Sequence, residues 1–109
     1  MSVAADPLRD LRERTRAFAA ARDWEQYHTP KNLAMALSVE VAELAEHFQW
    51  LQTGRAEELA AGQHDAIRHE LADVLLYLVQ IADKLDVDLH AAALEKIGLN
   101  AIKYPAPEA

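Results

Sequence analysis

The chain has 109 residues, enough for one domain with a modest core, and 51% of them are hydrophobic while only 6% are aromatic. A formal net charge of −7 excludes a general nucleic-acid surface and demands a cation or a local Lys/Arg cluster for any anionic ligand. With no cysteine, disulfides and thiolate-held zinc or iron–sulfur sites are excluded, and a reducing, cytoplasmic setting is the expectation. The opening MSVAADPLRD carries no basic and apolar signal segment. The longest apolar run, VLLYLV, falls far short of the roughly 20 residues a membrane span needs, so no membrane partner is expected.

Ala and Leu dominate and Gly is limited to 3, which favours helix. Asp6–Pro7 offers a cap and a proline tolerated in the first turn, predicting a helix over about 7–23. WEQYHTP is a connector, and Thr29–Pro30 repeats the signal to open a helix over about 30–51. Thr53–Gly54 breaks that helix, RAEELAA suits a short helix, and Gly62 ends it. A third helix is predicted over about 64–85. Asp88 caps a fourth over about 88–104, stopped by Pro105 and Pro107. The expected fold is a single all-α domain spanning 1–109, a four-helix bundle completed by homo-oligomerisation.

At about 100° per residue, Glu40, Glu43, His47 and Trp50 share one face of the second helix. Glu70, Asp73, Tyr77, Gln80 and Lys84 share one face of the third. Leu71, Val74, Leu75, Leu76, Leu78, Val79 and Ala82 cover most of the third helix's remaining circumference, predicting burial on several sides. Four carboxylates converging in a partly buried space repel unless a cation joins them, and oxygen-only donors suit Mg²⁺ or Mn²⁺. E-x-x-E followed, after 26 intervening residues, by E-x-x-D fits two antiparallel helices facing their pairs. E-x-x-E is also common on solvated helix faces, so the pattern alone leaves both readings open. Asp73, flanked by Ala72, Val74 and Leu75, is a poor place for an idle charge.

The ordered set RDW with H-x-P-x-N-L, then E-x-x-E-L-x-E-x-F-Q-W, then E-L-x-D-V-L-x-Y-L, then K-x-x-x-N-x-x-K-Y-P covers most of residues 18–105. In these stretches the chain resembles the MazG-like all-α nucleoside triphosphate pyrophosphohydrolases, and within them the dCTP pyrophosphatase branch. The resemblance implies Mg²⁺-dependent hydrolysis of a nucleoside triphosphate to the monophosphate and pyrophosphate. It implies metal-binding acids at Glu40, Glu43, Glu70 and Asp73 and base-sandwiching aromatics at Trp24 and Trp50. It further implies phosphate and sugar contacts at Tyr77, Lys84, Lys96, Asn100, Lys103 and Tyr104, and a homodimer or homotetramer.

Charge supports the metal requirement, because a triphosphate of about four negative charges meets four carboxylates. Glu43 is the expected acceptor of the attacking water's proton. Lys96, Asn100 and Lys103 fall on one face of the fourth helix, as a pyrophosphate clamp would. Read from residues alone, Trp24 serves equally well as a staple for its connector, and Tyr77 as a core tyrosine. His28 follows Glu25 in an E-x-x-H, a di-iron spacing, but its Thr-Pro connector favours a structural or substrate contact. A di-iron bundle wants two such elements on helices, and the chain offers neither convincingly. A non-catalytic helical nucleotide-binding or interaction module is the other rival.

Overall fold

Cap chemistry sets the helix starts. In the computed structural model, which describes residues 6–107, Asp6 Oδ1 accepts from the Arg9 amide at 3.1 Å, and Pro7 begins α1, Pro7–Ala21. Thr29 Oγ1 accepts from the Asn32 amide at 3.2 Å at the head of α2, Pro30–Glu46. α3, Gln63–Lys84, follows Gly62, whose φ of +84° lies in the left-handed region that glycine enters without strain. Asp88 Oδ1 accepts from the Ala91 amide at 3.0 Å and opens α4, Leu89–Lys103. Among the described residues there is no strand, so the all-α expectation holds.

Two helices end earlier than periodicity predicts. α1 stops at Ala21 instead of 23 because the Arg22 and Asp23 amides fold back to the carbonyls of Ala19 and Ala20, both at 3.2 Å. Asp23 then takes a φ of 56°, and the Trp24 amide bonds the Ala19 carbonyl at 3.0 Å. α2 stops at Glu46 instead of 51. Beyond it, the His47 and Phe48 amides tighten onto carbonyls three residues back, at 3.2 and 3.0 Å. The following loop is held by Glu58, whose carboxylate accepts from the amides of Gln52, Thr53 and Gly54 at 2.9, 2.8 and 3.1 Å and from the Thr53 hydroxyl. RAEELAA yields only one tight turn, Ala56–Glu58.

α3 is the axis of the packing and lies against both α1 and α2. Ala19, Leu33, Ile67, Val79 and Ala82 form the buried core, with Leu33 only 1% exposed. Arg16 on α1 grips Asp83 on α3 with two parallel bonds of 2.8 and 2.5 Å, the planar fork matching the carboxylate. Within one chain α3 is buried on two sides, short of the coverage its apolar circumference predicts. Leu71 is 54% exposed, Leu75 and Leu78 are partly bare, and Asp73 is exposed. Two neighbouring helices cover two sides of α3 and leave a third open. α4 buries none of its residues, and Leu94, Ile97 and Ile102 stand in the open. Within one chain α1–α3 make the packed unit, and α4 leaves most of its apolar side chains exposed, Leu89 and Ala92 being half-buried.

Candidate active site

Packing of α2 against α3 brings carboxylate oxygens of Glu40, Glu43 and Glu70 within 4.8 Å of one another. Glu40 Oε2 and Glu70 Oε2 are sealed from solvent, and neither has a hydrogen-bond donor. Buried polar atoms are almost always satisfied, so two orphaned oxygens side by side need a proton or a cation. Glu40 responds as such a group must. Its pKa is pushed up to about 7, first by burial, then by shared hydrogen bonding with Glu70 and Glu43 and by the charges of Glu43 and Asp73. The donor set is oxygen only, with no histidine, and fits a hard divalent cation.

Beside the acids opens a cleft of about 480 Å³, bordered by Glu40 and Asp73 at the acidic end. Tyr77 on α3 lines it, and burial, with the charges of Glu40 and Asp73, raises its hydroxyl pKa. The opposite wall is aromatic. The turn at Asp23 swings Trp24 back over α1, where its ring meets Phe18 edge-on at 5.7 Å and His28 at 6.2 Å. The Arg22 guanidinium lies 3.5 Å from the centre of the Phe18 ring and 6.0 Å from that of Trp24, a cation–π contact that helps fix this pair. Asn32 Nδ2 donates to the Tyr27 carbonyl at 2.9 Å and ties the connector to the start of α2. One cleft therefore joins an anion-poor aromatic wall to a carboxylate cluster.

The same architecture is found in proteins already known. Over residues 35–109 the sequence matches the MazG-like family. The chain belongs to that family. It is 46% identical over 101 residues to dCTP pyrophosphatase 1 of Homo sapiens, covering 91% of this chain and 59% of that protein. With dCTP pyrophosphatase 1 of Bos taurus it shares 43% identity over 107 residues, covering 95% and 63%. This MazG-like chain thus spans about three-fifths of the length of the curated relatives it matches. Its fold superposes on the crystal structure of a pyrophosphatase from Archaeoglobus fulgidus DSM 4304 with a TM-score of 0.86 and 36% identity, covering 97% of this chain and 99% of that one.

Not every residue singled out in the MazG-like sequence converges on the cleft. Glu40, Asp73, Trp24, His28 and Tyr77 line it, and Glu43 and Glu70 adjoin it through Glu40. Trp50 does not line it: 89% exposed, it sits in the turns after α2, so the helical row from Glu40 to Trp50 is broken at Glu46. His47, on the same predicted row, caps α2, and its carbonyl accepts from Gln63 Nε2 at 2.9 Å. Lys84 is exposed and borders a small crevice shared with Glu25, His28 and Gln80. Lys96, Asn100, Lys103 and Tyr104 are exposed on and after α4, clear of their own chain's cleft, with Lys103 Nζ 5.3 Å over the Tyr104 ring.

Sequence reasoning passed over Thr15, Phe18, Leu76 and Gln80, which also line the cleft. Thr15 and Phe18 lie three apart on α1, a spacing that puts them on one face. Nothing about an uncharged pair marks that face as functional. Gln80 did carry a signal, since it falls on the α3 row of Glu70, Asp73 and Tyr77.

Proposed function

We propose that residues 1–109 act as one domain that hydrolyses a deoxynucleoside triphosphate, dCTP or a modified dCTP, to the monophosphate and pyrophosphate in the cytoplasm. The observation that carries this reading is the pair of donorless carboxylate oxygens, Glu40 Oε2 and Glu70 Oε2, at the end of an aromatic-walled cleft. Likeness to the dCTP pyrophosphatases named above supports it. Glu40, Glu43, Glu70 and Asp73 would hold Mg²⁺ or Mn²⁺. Such a cation supplies charge neutralisation and polarisation of the phosphoryl group.

The chain's own residues do the rest. Glu43 takes the proton of the attacking water. Trp24, with Phe18 and His28 behind it, presents a flat face to the base, where stacking is worth about 1–3 kcal/mol. The Tyr77 hydroxyl, protonated at neutral pH as a tyrosine ordinarily is, donates to an oxygen of the substrate. Lys84, at the end of α3 past Gln80, borders the crevice beside His28 and would reach a phosphate only by extending its side chain back along the cleft. Lys96, Asn100, Lys103 and Tyr104 grip phosphate and sugar, and Trp50 covers the base, in a homodimer or homotetramer; the bare apolar residues of α3 and α4 favour such an assembly.

A panel of canonical and modified nucleotides tests this, following pyrophosphate release with Mg²⁺ and with Mn²⁺. The expected result is release from dCTP, falling by at least about a hundredfold in Glu43→Gln and Asp73→Asn while circular dichroism and oligomer size persist. Absence of pyrophosphate from every nucleotide would defeat the enzyme reading, and full activity in both variants would defeat the site.

A further inference from the structure

Stacking holds any base, because every base has a π face. Selection among bases therefore needs hydrogen bonds to the ring edge. Thr15, Arg14, Glu40 and Asp73 on the cleft wall are already committed, and Trp24, His28 and Tyr77 offer rings or a hydroxyl rather than an ordered amide. Thr15 Oγ1 donates to the Arg12 carbonyl at 2.9 Å, and Arg14 Nε binds Asp10 at 3.0 Å. Glu40 and Asp73 belong to the acid cluster. Gln80 is different. It stands three residues beyond Tyr77 on α3, at the border of the cleft. Its Nε2 donates to the Leu76 carbonyl at 3.2 Å. Its Oε1 has no donor among the described residues and is not among the oxygens sealed from solvent.

Two spaces adjoin this amide. One is a crevice of about 10 Å³, room for a single water at most; the other is the cleft, of about 480 Å³. The amide cannot be reversed without setting Oε1 against the Leu76 carbonyl, acceptor to acceptor. Gln80 is thereby held with an acceptor and an adjacent N–H in fixed order. Cytosine presents the complement, an amino donor at C4 beside the acceptor N3. Uracil presents the reverse, a carbonyl at C4 beside an N–H.

We propose that Gln80 is a specificity-determining residue whose Oε1 accepts a hydrogen bond from the exocyclic amino group of the base, so that the cleft selects cytosine over uracil nucleotides. The proposal rests on the triphosphate-hydrolase reading and names the group that chooses its substrate. kcat and KM are to be measured for dCTP, dUTP and the 2-pyrimidinone deoxynucleoside triphosphate, which lacks the C4 amino group, in wild type and Gln80→Met. The wild-type protein should favour dCTP over both analogues by about tenfold in kcat/KM, the scale of one well-placed neutral hydrogen bond. In Gln80→Met that preference should vanish through a rise in KM for dCTP. Gln80→Leu likewise removes the acceptor at similar volume and should lose the preference for dCTP over the 2-pyrimidinone analogue, which serves if Gln80→Met does not fold. A wild-type protein indifferent to the C4 group, or an undiminished preference in Gln80→Met or Gln80→Leu, overturns the proposal and leaves the hydrolase reading standing. Failure of all three nucleotides removes the hydrolase reading, and this one with it.

Discussion

Glu40→Gln should stabilise the metal-free protein while abolishing its response to divalent cations. Carboxylate oxygens of Glu40, Glu43 and Glu70 lie within 4.8 Å of one another, and at an effective dielectric of about 20 two unit charges at that distance repel by about 3.5 kcal/mol. The cluster is partly open to water, so the gain from removing one charge is put at about 1–2 kcal/mol, on the order of 5–10 °C in Tm for a domain of this size. The effect depends on pH in a defined direction. The Glu40 carboxyl titrates near 7 in the folded protein against 4.5 ordinarily, so the folded state binds a proton that the unfolded chain releases. Stability from that proton is complete below about pH 4.5 and lost as pH rises through 7. Thermal unfolding in EDTA at fixed protein concentration should therefore show Glu40→Gln above wild type at pH 8 and level with it near pH 5. Saturating Mg²⁺ should raise the wild-type Tm, by about 2.7 kcal/mol of stability at a hundred times Kd, and leave the variant almost unmoved. A variant less stable than wild type at pH 8, or an advantage equally large at pH 5, would refute the repulsive cluster.

Arg16→Ala should lower Tm by a few degrees at neutral pH, because it removes both bonds between α1 and the largely buried Asp83 carboxylate. Arg16 holds the Asp83 carboxyl below its ordinary range, so this loss should fade as pH falls through the acid range, as thermal scans at several pH values would report. Gly54→Ala should destabilise by about 1–3 kcal/mol. The new Cβ would meet Phe48 Cδ1 at 2.8 Å, at a φ of +76° that alanine disfavours, and urea unfolding would measure the shift.

Helix existence and helix starts were legible in the sequence because they depend on neighbours along the chain. Asp6, Thr29 and Asp88 cap the residues that follow them wherever the helices later pack. The acid pairs were legible for the same reason, since a spacing of three fixes a shared helical face. Ends were not local. α2 has no strong stop signal at Glu46; Glu58 gathers the loop amides from Gln52 to Gly54 across a gap no periodicity describes. The aromatic wall was half legible. Trp24 stood out, but Phe18 joins it only because Asp23 reverses the chain over α1.

By itself, then, the sequence determined an all-helical chain with two acid pairs on defined faces, because hydrogen bonding and side-chain direction within a helix follow from spacing alone. Tertiary packing decided that Glu40, Glu43 and Glu70 meet, that one oxygen of Glu40 is sealed from solvent and its carboxyl holds its proton more tightly, and that Trp24 rather than Trp50 borders the cleft beside them. Those outcomes depend on which helix faces touch and on what the contact seals from water, and both belong to the packed chain as a whole.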